Sequence, residues 1–99
     1  MIDEDKLAQD AHRAARAKSL LENELLQEAF ASLKAQYSAD LMATTVDQQG
    51  ARERLYLAHR IVGEVERHLG TIVQDGKLAA RQLKDLAEAA ERKMAWHQI

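Results

Sequence analysis

Leu55-Tyr56-Leu57-Ala58-His59-Arg60-Ile61-Val62-Gly63-Glu64-Val65-Glu66-Arg67-His68-Leu69-Gly70-Thr71-Ile72 is the stretch that decides the fold. Leu55, Ala58, Val62, Val65, Leu69 and Ile72 recur at alternating intervals of 3 and 4 residues. Such a stripe puts one apolar seam along a helix and lays that helix against others. It defines an architecture and says little about chemistry.

Composition agrees with the stripe. The chain has 99 residues, 46% hydrophobic and 30% charged, with no proline and only four glycines. Strong helix formers dominate and strand-like alternation is missing, so an all-α fold is expected. The length suits a single domain, read here as an antiparallel helical hairpin or bundle of three to four helices. Cysteine is absent, which excludes disulfides, thiolate metal sites and a thiol nucleophile. The acidic opening does not read as a secretory signal, and no apolar run is long enough to cross a bilayer. A soluble protein with no membrane partner is the expectation.

Working outward, residues 3–22 read as an Ala-rich helix that buries little area and could serve as an N-terminal arm. Near Asn23 the apolar phase slips. Leu7, Ala11, Ala14, Leu21 and Leu25 share one register; Leu26, Phe30, Leu33, Tyr37 and Leu41 follow another. The slip means either a break with Asn23 as the next helix's cap, which is the reading favoured, or one long helix with a rotating stripe. Residues 43–50 read as a loop, with Thr45-Val46-Asp47-Gln48 matching a capping box. The seam helix is expected from about Val46 to Gln74. Gly63 and Gly70 could admit a close helix approach or simply reflect drift. Asp75-Gly76 reads as a stop, with Gly76 left-handed, before a last helix from about Lys77 to Trp96. That helix carries Ala79, Leu83, Leu86, Ala90 and Met94. Residues 24–42 would then lie against 46–74, with Phe30, Leu33 and Tyr37 packing on Leu55, Val62, Val65, Leu69 and Ile72.

Chemistry finds little support. Of four histidines only His68 has a ligand-type partner one turn away, Glu64, and a helical metal site wants several such pairs on facing helices. No serine sits in a nucleophile turn, and the glycines are too scattered for a phosphate loop. The expectation is no enzyme, no metal and no cofactor. Residues 1–50 hold nine acids and five bases, residues 51–99 seven acids and nine bases, a split suited to antiparallel halves or to neighbouring subunits. Arg60 and Arg67, one heptad apart, are candidate phosphate contacts, though interleaved acids mean DNA could be held only through an oligomer. Protein contact is the surviving class. Met94, Trp96 and Ile99 are interface candidates because a small chain struggles to cover them.

Three pieces carry a resemblance: Arg16-Ala17-Lys18-Ser19-Leu20-Leu21-Glu22-Asn23-Glu24-Leu25-Leu26-Gln27-Glu28-Ala29-Phe30, then Gly50-Ala51-Arg52-Glu53-Arg54-Leu55, then His68-Leu69-Gly70-Thr71-Ile72-Val73-Gln74-Asp75-Gly76-Lys77-Leu78-Ala79. Together they make residues 16–83 resemble a family of short all-helical proteins encoded by tailed bacteriophages and prophages. The acidic start and the Trp96 tail fall outside it, and the resemblance carries no site residues. It implies a viral product acting in a host bacterial cytoplasm or a virion. The expected function is a homo-oligomeric assembly module for head morphogenesis or DNA packaging, with other viral or host proteins as further partners. The alternative is a small phage inhibitor that blocks a host defence or takeover target.

Overall fold

The computed structural model describes residues 3–97, with side chains from 3 to 94. Three helices follow one another: α1 (Glu4–Leu21), α2 (Glu24–Met42) and α3 (Gln49–His97). The last holds 49 residues, a rod of roughly 73 Å at the helical rise.

Local chemistry sets the first boundaries. The Asp3 carboxylate caps α1 by accepting from the Lys6 N–H at 3.1 Å, and Glu4 and Asp5 oppose the positive end of the helix dipole. At the break, the Asn23 side chain accepts from the Leu26 N–H at 3.0 Å and opens α2. Gln27 reaches back from the new helix and donates to the Leu21 carbonyl at 2.7 Å. One of the orphan acceptors at the end of α1 is therefore satisfied by the first turn of α2. The register slip marks a real break.

The turn between α2 and α3 is built from its own side chains. Thr44 donates its hydroxyl to the Leu41 carbonyl at 2.7 Å, and Gln48 accepts from the Thr45 N–H at 2.9 Å. The second contact is the return half of a capping box, but the Thr45 hydroxyl turns to the Asp47 carboxylate instead. Arg52, one turn into α3, donates to the carbonyls of Thr45 and of Val46, the latter at 3.1 Å. Val46 is left in the loop, so the seam helix begins three residues later than the capping-box reading of Thr45–Gln48 suggested.

Two further expectations are corrected. Asp75-Gly76 does not end a helix: α3 runs straight through, and no glycine has positive φ. The separate last helix from Lys77 does not exist. Gly63 and Gly70 permit no close approach either, because a methyl group built at either meets nothing within 4 Å. The close approach is at Gly76, where a Cβ would stand 1.8 Å from the Ala14 Cβ and 2.9 Å from the Asp10 carbonyl oxygen.

These contacts define the packing. Ala14 meets Gly76, and Ala17 and Leu20 share a groove with Leu69 and Ile72. Lys34 reaches Glu66 at 2.8 Å, and Leu41 lies beside Arg52 and Tyr56. Residue numbers rise along α1 and α2 as they fall along α3. Both short helices are antiparallel to α3 and lie in tandem on it, α1 on its C-terminal half and α2 on its N-terminal half. The result is a hairpin with one broken arm, 80 × 28 × 15 Å. Its thinnest dimension admits one layer of helices.

A single layer buries little. Among the described residues the buried apolar side chains are Ala14, Ala17, Val73 and Ala79, all at the α1–α3 contact, and Gly76 is buried with them. Small residues there let the two backbones come close. Along α2 the contact is looser: Phe30, Tyr37, Leu55 and Val62 are half-buried, while Leu33 and Val65 stay exposed. Leu69 and Ile72, expected opposite α2, are half-buried in the groove with Ala17 and Leu20 of α1.

Candidate functional site

Each broad side of this slab is a continuous helical surface, and the two differ. Lys34 and Glu66 pair on one side. The Glu66 oxygen is shielded from water and lies off the hydrogen-bond direction, so the contact is an ion pair across α2 and α3. Neighbouring residues on a helix are about 100° apart. Leu33 and Val65, each one residue before a member of that pair, therefore turn to the opposite side.

That opposite side is apolar. Leu57, Ile61 and Val65 stand one turn apart along α3, with 53%, 60% and 46% of their surfaces in solvent. Leu33 continues the patch on α2. Leu20 extends it beyond the break, on a groove shared with Arg13, Arg16, Leu69 and Ile72. Asp75 borders the same groove system with Asp10 and Arg13. We refer to this as the Ile61 face. Tyr56 emerges on the Lys34 side, and Met42 and Val46 at the hairpin tip.

Heptad spacing alone placed Leu33 and Val65 among the packing residues. They sit at its rim, because a two-helix contact covers only the centre of a stripe that a bundle would cover entirely. Leu57, Ile61 and Leu20 were missed for the same reason. Their signal was present: Leu57, Ile61 and Val65 form a second apolar row beside the seam.

The charged candidates are drawn together by one carboxylate. Glu64 holds Arg67 at 2.5 Å and Arg60 at 4.0 Å, all on the exposed edge of α3. A phosphate approaching either guanidinium would compete with Glu64, and the same arrangement takes Glu64 away from His68. Among the described residues no three His, Asp or Glu side chains converge as a metal cluster would require. Asp47, in the exposed turn, has its carboxyl held below the usual carboxylate range by the Thr45 hydroxyl first and its own backbone N–H second. It serves the turn. Met94 is exposed, whereas the Trp96 side chain and Ile99 lie outside the described residues.

No helix among the described residues is long and apolar enough to cross a membrane. No protein-family model, no curated protein and no solved structure matches the chain. The resemblance of residues 16–83 to phage-encoded proteins thus rests on the quoted pieces alone.

Proposed function

We propose that this protein is a non-enzymatic, self-associating helical module, the building block of a homo-oligomeric assembly. One observation carries this reading. The chain exposes 8133 Å² of accessible surface, whereas a compact monomer of its mass exposes about 5,700 Å². The difference, roughly 2,400 Å², is of the size that obligate subunits bury on association. A slab one helix thick completes its bundle by acquiring another layer. The phage-like pieces suggest the setting: head morphogenesis or DNA packaging, in a bacterial cytoplasm or a virion. A form of the assembly that grips DNA needs Arg60 and Arg67 to exchange Glu64 for phosphate, and replacing both arginines with Glu would abolish its DNA retention.

Absolute mass by light scattering after size exclusion, at low and high salt, tests the reading. A discrete multimer supports it. A monomer at every concentration overturns it and favours the second reading, a small inhibitor whose exposed apolar face is covered by a host protein. That reading draws on the same surface and predicts one stoichiometric host partner retained from lysate.

A further inference from the structure

The Ile61 face is complementary to itself in one register. Along α3, residues 54 and 75, 57 and 72, and 61 and 68 are each equidistant from the midpoint between Glu64 and Val65. Their chemistry matches in these pairs. Arg54 is set against Asp75, Leu57 against Ile72, and Ile61 against the imidazole body of His68.

We infer that two copies of this chain associate through their Ile61 faces, about a two-fold axis that lies between the two faces, perpendicular to the α3 direction and level with the midpoint of Glu64 and Val65. This inference rests on the self-associating reading above and names its surface, partner and register. Each α3 then lies antiparallel on its counterpart, and α1 and α2 of one copy lie over α2 and α1 of the other. An isologous contact of this kind repeats every pair twice. Arg54 of each copy meets Asp75 of its partner at the two ends, about 32 Å apart along the helix. Among the described residues neither forms an ion pair within its own protomer, and Asp75 lines a groove with Arg13 without pairing to it.

Between those ends the contact is apolar. Ile61, Leu57 and Val65, each about half in solvent, are covered together with Leu33, which lies opposite this part of α3. Of the two acids near the axis, Glu66 is held on the opposite side by Lys34, and Glu64 is drawn towards the outer edge by Arg60 and Arg67, which leaves the centre to Val65. The contact is about 30 Å long and two helices wide, enough for the roughly 800 Å² per partner of a stable dimer, and the surplus surface of the chain covers it about three times over.

The absence of cysteine makes a direct test simple. Val65→Cys, near the axis, should form an intermolecular disulfide on mild oxidation, whereas Tyr56→Cys on the opposite side should not. Ile61→Glu should give a monomer with its helix signal unchanged, since Ile61 is 60% in solvent within the protomer and a carboxylate there stays hydrated. Arg54→Asp should weaken the dimer about tenfold, and Arg54→Asp with Asp75→Arg should restore it. If the protein is multimeric but Tyr56→Cys cross-links in place of Val65→Cys, the face assignment is overturned while self-association stands. If the charge swap fails to restore association, the register is overturned. A wild-type monomer at all concentrations overturns both the inference and the reading beneath it.

Discussion

Gly76 on α3 lies against Ala14 on α1 so closely that the space of its missing side chain is already occupied by the Ala14 methyl group. Two helix backbones are thereby locked at the one place where the chain buries a compact cluster. Gly76→Ala should destabilise the fold by about 1–3 kcal/mol through overpacking, more than the ~1 kcal/mol that Ala returns in helix propensity. Gly63→Ala and Gly70→Ala, with nothing within 4 Å of the added carbon, should each stabilise by about 1 kcal/mol. Thermal melts of the three variants check the opposite signs; a stabilised Gly76→Ala protein would mean that α1 does not dock here.

Val62 faces α2 within the protomer, where a carboxylate would find no partner. Val62→Asp should lower stability by a few kcal/mol, enough to unfold a chain with so thin a core. Circular dichroism reads the loss of helix directly. Unchanged helicity and melting temperature would remove Val62 from the α2–α3 contact.

The break between α1 and α2 depends on a side chain that caps one helix as the next begins. Asn23→Ala removes the acceptor for the Leu26 N–H and should cost about 1 kcal/mol. Because the slip in apolar register remains, the two helices should not fuse. Amide exchange should speed up at Leu26 and its neighbours and leave α3 unaffected.

The turn has its own pH signature. The Asp47 carboxyl is held low by the Thr45 hydroxyl, so its contribution is fully present above the ordinary carboxylate value near ~3.9 and is lost as pH falls through the lowered folded value. Thr45→Ala should move the Asp47 titration up towards the ordinary value. Carbon-detected NMR titration of the Asp47 side chain follows this, and an unmoved midpoint would assign the shift to the backbone N–H instead.

The two expected boundaries at Asn23 and Gly76 show where sequence reasoning held and where it failed. At Asn23 the slip in apolar phase coincided with a capping residue, and both signs agreed with a break. At Gly76 only the residue type suggested a stop. The seam itself continues without a slip, through Ile72, Gly76, Ala79, Leu83 and Leu86 at intervals of 4, 3, 4 and 3. An unbroken heptad was the better guide, because a helix stop costs a whole seam while one interior glycine costs about 1 kcal/mol. For the candidate surface, the row Leu57, Ile61, Val65 was visible in the same stretch. Its meaning depends on how many helices cover α3.

What residue order alone determined is local: helix content, the Asn23 cap, and the existence of a turn after Met42. Hydrogen bonds over three or four residues specify each of these, and the residues that make them are neighbours in the chain. Tertiary structure decided the rest. Gly76 became a contact because Ala14 arrives opposite it, from more than sixty residues away in the chain. The α1 and α2 helices lie in tandem on one face of α3, and that single layer turns Ile61 outward. Burial is a property of what comes to lie opposite a residue, and for a thin helical hairpin that is settled by packing.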